Sequence, residues 1–127
     1  MKSKTNGIQR ILVVEDEPVI SHVCQKVLMS QGFSVDVVAD GKKAIEKIND
    51  QRYNLCILDL RMPGINGLQL YQYLADNRPE LSQNVIFTTG DTTSHQLSEF
   101  LNGSEKVYLE KPFTPAELIA AVEMALN

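Results

Sequence analysis

The chain has 127 residues, and its 12 basic and 16 acidic side chains give a formal net charge of −4. This length favours a single domain that is large enough to bury a hydrophobic core. The acidic balance, without a cluster of basic residues, disfavours direct binding to nucleic acid. Apolar stretches all fall well short of the ~20 residues that a transmembrane helix requires, so we expect no membrane span.

Two cysteines, Cys24 and Cys56, each lie within an apolar run. Their spacing matches neither a metal-binding nor a redox motif, so we expect two buried thiols that pack as small hydrophobic groups. Unpaired thiols are typical of a reducing compartment, and the first residues lack the apolar segment of a signal peptide. We therefore expect the protein to be cytoplasmic.

Short apolar runs alternate with longer amphipathic ones, a pattern typical of βα units around a parallel sheet. The first helix is predicted to begin at Pro18 and to end at Gly32. The last is predicted to have Thr114 as its cap and Pro115 in its first turn. The pattern predicts strands near 10–15, 34–38, 54–59, 84–89 and 106–110, and helices near 18–31, 41–51, 67–77, 92–102 and 114–126.

Five such units with right-handed crossovers predict a flavodoxin-like α/β fold, a three-layer sandwich with five helices covering both faces of the sheet. Of the two common doubly wound strand orders, 2-1-3-4-5 suits a chain with five strands. In this order the first and third strands are neighbours at the switch point of the sheet. Open α/β sheets bind ligands beyond the carboxyl ends of their strands at this point, so residues that follow these two strands are expected to meet.

Chemically reactive side chains follow four of the predicted strands. Glu15 and Asp16 follow the first strand, and Asp59 ends the third. Thr89 ends the fourth strand, and Lys111 follows the fifth. The three carboxylates would repel one another unless a cation lay among them, and oxygen ligands at a water-accessible edge favour Mg²⁺. We expect Asp16 and Asp59 to bind the metal directly and Glu15 to hold a metal-bound water.

Three of these assignments have alternatives. The acidic run 15–17 also suits the positive end of the first helix dipole, but this leaves the other strand ends unexplained. Because side chains alternate along a strand, only one of Thr88 and Thr89 is expected to face the site, and we choose Thr89, the last residue before Gly90. Lys111 is a solvated surface residue in the alternative view, but its position at the strand edge favours the site.

From residue 10 to residue 126, the sequence resembles the receiver domain of bacterial two-component response regulators. Thr89 lies 30 positions after Asp59, and Lys111 lies 52 positions after it, as in the family pattern. The family often has Asp where Glu15 stands here. The motifs that carry the resemblance are Glu15-Asp16, the run ILDLRMPG around Asp59, Thr89-Gly90 and Lys111-Pro112.

The resemblance implies a phosphoryl-accepting signalling switch in a two-component phosphorelay. A sensor histidine kinase or a histidine phosphotransfer protein would supply the phosphoryl group from a phosphohistidine, and Asp59 would accept it with Mg²⁺ bound. The protein would not be a conventional enzyme, because it would catalyse only its own phosphorylation and dephosphorylation. We expect residues 1–9 to be a flexible lead-in and residues 10–127 to form the receiver domain.

Roles for the individual residues follow from the same resemblance. Asp59 would be the nucleophile that forms an acyl phosphate, and Lys111 would neutralise charge on the transferred group together with Mg²⁺. Thr89 would donate a hydrogen bond to a phosphoryl oxygen. The main-chain carbonyl of Arg61 would be a further metal ligand, and the peptide bond before Pro112 would be cis.

The resemblance also implies a conformational switch. Tyr108 occupies the aromatic switch position, and its ring would move inward when the Thr89 hydroxyl turns to the phosphoryl group. The helix predicted over 92–102, the fifth strand and the last helix would form the surface that binds an effector or a second copy in a homodimer.

Arg61 and Asp91 flank the predicted pocket, and we expect them to pair across it and shield the acyl phosphate.

Two other functional classes are weaker. A Mg²⁺-dependent phosphatase or phosphotransferase with an aspartyl nucleophile would need a second Asp shortly after Asp59, and the sequence has none there. A nucleotide or flavin binder would need a glycine-rich phosphate loop after the first strand, which is also absent from the sequence. The sequence leaves open the kinase, the downstream partner, the oligomeric state, and whether the receiver is a stand-alone regulator or part of a larger protein.

Overall fold

Five parallel strands lie at the centre of the protein in the order β2-β1-β3-β4-β5, as predicted. The computed structural model describes residues 7–90 and 107–126. Strand boundaries differ from the predicted ones by one residue at most. The strands are β1 (Arg10–Val14), β2 (Ser34–Val38), β3 (Leu55–Asp59), β4 (Val85–Thr89) and β5 (Val107–Glu110), and the helices are α1 (Pro18–Ser30), α2 (Gly41–Asp50), α3 (Gly67–Asn77), α4 (Pro79–Ser82) and α5 (Pro115–Leu126).

Four of the predicted helices are confirmed, whereas the helix predicted over 92–102 lies outside the described residues. The short helix α4 was not predicted. Helix α4 follows α3 because Pro79 has no main-chain N–H with which to continue α3. Proline suits the first position of a new helix. Within residues 7–90 and 107–126, no helix combines the length and the apolar character of a membrane span.

Side-chain caps define where three of the helices begin. Asp40 accepts a hydrogen bond of 2.8 Å from a main-chain N–H in the first turn of α2. Asn66 and Gln69 form a reciprocal capping box at the start of α3, with both hydrogen bonds at 2.9 Å. Thr114 and Glu117 form a similar pair at the start of α5, which confirms the predicted cap.

The sheet separates two hydrophobic cores. Side chains alternate along each strand, so that Ile57 packs with α1 and α5 whereas Leu58 packs with α2 and α3. We call these the α1/α5 core and the α2/α3 core. Both cysteines are free and buried, as predicted, with Cys24 in the α1/α5 core and Cys56 in the α2/α3 core.

Gly67 brings the first turn of α3 against the end of β3. A Cβ atom at this position would lie 2.6 Å from the carbonyl oxygen of Asp59 and 2.8 Å from the Cα atom of Leu60. Any larger residue would therefore displace the main chain that carries Asp59. The glycine is required by this close approach, and it fixes the position of the strand end.

Candidate functional site

The carboxyl ends of β1, β3 and β5 bring three carboxylates and one lysine together. The ammonium nitrogen of Lys111 lies 3.0 Å from Glu15 Oε1, 3.0 Å from Asp59 Oδ2 and 2.8 Å from Glu17 Oε1. Carboxylate oxygens of the three acids lie within 4.8 Å of one another. The peptide bond between Lys111 and Pro112 is cis, as the resemblance implied.

Both carboxylate oxygens of Asp59 accept hydrogen bonds. Oδ1 accepts one of 2.9 Å from the main-chain N–H of Arg61, and Oδ2 accepts one of 3.0 Å from Lys111. Asp59 is only 2% exposed, yet it lines a cleft of about 750 Å³. Val19 and Phe113 contribute apolar surface to the same cleft. The acid is thus oriented from two sides and borders a space large enough for a small ligand.

Burial dominates the electrostatics of Glu15, which is 3% exposed. It raises the pKa of this carboxyl to about 7; the hydrogen bond from Lys111 lowers the pKa, whereas the neighbouring Asp59 raises it. At Lys111, burial lowers the pKa, but hydrogen bonds to Glu17, Glu15 and Asp59 outweigh it and raise the pKa overall. One ammonium group therefore serves three carboxylates, and the cluster retains an excess of negative charge.

Glu17, rather than Asp16, joins this group of carboxylates in the structure. Asp16 is exposed and lines the cleft, and its direct metal contact stays a prediction. Glu17 occupies the N-cap position of α1, but its side chain makes no capping hydrogen bond and contacts Lys111 instead. The sequence showed Glu17 within the acidic run, but it did not show that this side chain reaches across to β5.

The other predicted residues lie at or near the same edge of the sheet. Thr89 ends β4, is fully buried, and accepts a hydrogen bond of 2.8 Å at its carbonyl oxygen from the main-chain N–H of Lys111. Arg61 lines the cleft, and Tyr108 is 47% exposed on β5. Asp91 lies outside the described residues, so its pairing with Arg61 stays a prediction.

The residues present fit a hard divalent cation. Three carboxylates offer the oxygen ligands that such cations prefer. The Lys111 ammonium group already lies among them at 2.8–3.0 Å, which shows that the cluster accommodates a positive charge. The acids outnumber this lysine, so a second positive charge nearby would lower their mutual repulsion.

The sequence model of the response regulator receiver domain matches residues 11–123. The chain belongs to this family. The DNA-binding response regulator MtrA of Mycolicibacterium smegmatis is 34% identical to this receiver domain over 119 residues, which is 94% of the chain. The chain spans 51% of the length of that relative. The resemblance seen in the sequence is therefore confirmed.

Solved structures show the same architecture. A CheY-like receiver domain protein from Methanospirillum hungatei has a TM-score of 0.85 at 28% identity, with 94% of each chain covered. The receiver domain of the sensor histidine kinase PA1611 from Pseudomonas aeruginosa has a TM-score of 0.82 at 30% identity, over 94% of this chain and 98% of that one. That structure has a magnesium ion coordinated in its active-site cleft. The predicted flavodoxin-like fold is confirmed.

Proposed function

We propose that this receiver domain is a phosphoryl-accepting switch in a two-component phosphorelay, with Asp59 as the acceptor. The observation that carries the proposal is the position of the Asp59 carboxylate, which borders the cleft between the Arg61 N–H and the Lys111 ammonium group. A sensor histidine kinase or a histidine phosphotransfer protein supplies the phosphoryl group. The domain catalyses only its own phosphorylation and dephosphorylation.

In the transfer step, a carboxylate oxygen of Asp59 attacks phosphorus. An O–P bond forms to Asp59 while the P–N bond of the donor phosphohistidine breaks and leaves an imidazole. Phosphoryl transfer needs positioning and neutralisation of charge more than proton transfer. Lys111 supplies a positive charge, the Arg61 N–H holds the carboxylate, and Thr89 donates a hydrogen bond to a phosphoryl oxygen.

We propose Mg²⁺ as the cofactor of this step. Asp16, Asp59 and the main-chain carbonyl of Arg61 would hold it directly, and Glu15 would hold it through a water molecule. Glu17 adds a further carboxylate to this set. When bound, the ion supplies positive charge next to the phosphoryl oxygens. The magnesium in the cleft of the related PA1611 receiver domain supports this choice.

The output of the switch is a change in protein binding. Tyr108 on β5 is half-exposed and would turn inward when Thr89 binds the phosphoryl group. The surface formed by β5, α5 and the segment predicted as a helix over 92–102 would then bind an effector or a second copy of the chain. The net charge of −4 favours proteins over nucleic acid as direct partners of this domain, and we propose a cytoplasmic location.

Phosphoryl uptake tests the proposal directly. Incubation with a small phosphodonor and Mg²⁺ is expected to raise the intact mass of the wild-type protein by one phosphoryl group. Asp59→Asn keeps the shape of the side chain but removes the nucleophile, so it should take up none. Asp76→Asn, which changes an exposed acid on α3, is the matched control and should behave as the wild type does. Uptake by Asp59→Asn, or none by the wild type, would refute the proposal.

A further inference from the structure

Thr88 on β4 has a buried hydroxyl group that makes no hydrogen bond within the part of the chain that the structure describes. The residue is 2% exposed. Leaving a buried hydroxyl without a partner destabilises the folded state, whereas valine would fill the same space without this penalty. Ser82, another buried hydroxyl residue, shows the usual arrangement, since its Oγ donates to the Pro79 carbonyl oxygen at 2.7 Å. The polar group of Thr88 therefore calls for an explanation.

The strand register places Thr88 beside Asp59. The two are paired across β3 and β4, and Leu109 is the partner of Thr88 on β5. The preceding pair in the same register, Ile57 and Ile86, lies in the α1/α5 core, as Leu109 does. Since side chains alternate along a strand, Thr88 and Asp59 point to the same face of the sheet on strands about 4.8 Å apart.

Asp59 needs no further donor in the present arrangement. Its two oxygens already accept hydrogen bonds from the Arg61 N–H and from Lys111. In the proposed phosphorylated state, however, Lys111 directs its positive charge to the phosphoryl oxygens. Oδ2 of Asp59 then loses the donor that it has here, and its partner in the register, Thr88, carries a buried hydroxyl without an acceptor among the described residues.

We propose that Thr88 is a positioning residue that donates a hydrogen bond to the Asp59 carboxyl group when Lys111 turns to the phosphoryl group. The inference rests on the proposed function and adds a role for a residue outside the set predicted from the sequence. The hydroxyl has no partner among residues 7–90 and 107–126 in the present state and is paired in the phosphorylated one. Thr88 thus shifts the equilibrium between the two states toward the phosphorylated one.

Two measurements on four proteins test this role. Wild type, Thr88→Val, Thr88→Ser and Ser82→Ala are unfolded with urea in a chelator, and their affinity for beryllofluoride, a phosphoryl mimic, is measured by calorimetry with Mg²⁺. Thr88→Val should have an unfolding midpoint at or above that of the wild type, because an unpaired hydroxyl is replaced by an isosteric methyl group. Its affinity for beryllofluoride should fall about tenfold, which corresponds to about 1.4 kcal/mol.

The two other variants separate the hydroxyl from general effects on packing. Thr88→Ser keeps the hydroxyl and should bind beryllofluoride within about twofold of the wild type, even though loss of the methyl group lowers its unfolding midpoint. Ser82→Ala loses a satisfied hydrogen bond away from the site, so its midpoint should fall while its affinity stays at the wild-type value.

Several results would overturn the inference. Equal affinity of wild type and Thr88→Val would show that the hydroxyl does not act in the loaded state. A midpoint of Thr88→Val as low as that of Ser82→Ala would show that the hydroxyl is already paired before loading. If the wild type bound no beryllofluoride, the proposed function itself would fail and this inference with it, whereas the first two results leave the proposed function intact.

Discussion

Lys111 determines the charge balance of the site, because its ammonium group is the counter-charge of three carboxylates at once. It is mostly buried, so its interactions with Glu15 and Asp59 are screened less by solvent than those of a surface pair. Its shortest contact, with Glu17, involves a side chain that is 57% exposed and is weaker for that reason. The contacts with the two buried acids are therefore the least screened, whereas the hydrogen bond to Glu17 contributes most to the raised pKa of Lys111.

The raised pKa of Glu15 predicts that the stability of the metal-free protein depends on pH. Its pKa in the folded protein is about 7, above the ordinary value of 4.5, so the folded state holds this proton more tightly than the unfolded chain does. The stability that the protonated acid contributes is complete below about pH 4.5 and is lost as the pH rises to 7. Between pH 5 and pH 8, the wild type should therefore lose on the order of 1–3 kcal/mol more stability than Glu15→Gln.

Urea unfolding in a chelator at the two pH values measures this difference. Glu46→Gln, which changes an exposed glutamate on α2, is the control and should follow the pH dependence of the wild type. If Glu15→Gln lost as much stability as the wild type over this range, burial would not shift the titration of Glu15 as described.

At the scale of elements, the site depends on how α3 docks against β3. The capping box of Asn66 and Gln69 begins the helix at the loop that follows Asp59, and Gly67 lets its first turn contact the strand end. The position of Asp59 is thus set by a local signal and by a close packing contact. A larger side chain at position 67 would displace the main chain of Asp59 without changing any charged group of the site.

We expect Gly67→Ala to destabilise the protein by about 1–3 kcal/mol, because the added methyl group would lie 2.6 Å from the Asp59 carbonyl oxygen. Phosphoryl uptake at Asp59 should also slow down, since the strand end shifts. Urea unfolding and the rate of mass increase with a small phosphodonor measure the two effects. Gly7→Ala is the control, since a Cβ there meets no atom of the described residues within 4 Å. A Gly67→Ala protein as stable as the wild type would contradict the described packing.

At the scale of the whole molecule, the sheet holds two cores together, and each core contains one free thiol. Burial raises the pKa of Cys24 to about 12, and the negative charge of Glu15 raises it further than Lys111 lowers it. Burial also raises the pKa of Cys56, which lies on the opposite face of the sheet. Both thiols are therefore protonated and shielded at neutral pH.

Neither cysteine should react with an aromatic disulfide reagent at pH 8 in the folded protein. Both thiols should become reactive in denaturant. In native buffer, labelling should occur only when the protein unfolds. Both thiols should then label slowly and at one common rate, since the two cores share the sheet and open together if unfolding is two-state. Labelling of Cys24→Ala and Cys56→Ala, each of which keeps one thiol, gives the two rates separately. Fast labelling of one thiol alone would show that its core opens independently of the other.

The sequence by itself determined the five strands and their order, four of the helices, and the acids and lysine at the strand ends. These features depend on local signals, namely the apolar period of each segment, the helix caps and the spacing of the motifs. The pairing of Glu17 with Lys111 was not predicted, because the two side chains are 94 positions apart and meet only through the tertiary fold, in which α1 packs against α5, the helix that follows β5. Helix α4 was missed because it is a single turn, and its first residue, Pro79, was read only as the end of the α3 pattern.

Only the tertiary structure decided which acids share the Lys111 ammonium group and which buried hydroxyl has no partner among the described residues. Choosing Thr89 over Thr88 relied on the motif, whereas the register pairs Asp59 with Thr88, whose hydroxyl is buried, and pairs Thr89 with Glu110 on β5. Alternation along a strand shows which residues share a face of the sheet. It does not show which residue of the neighbouring strand each one pairs with. That depends on the register between β3 and β4, which only long-range packing of the two cores determines.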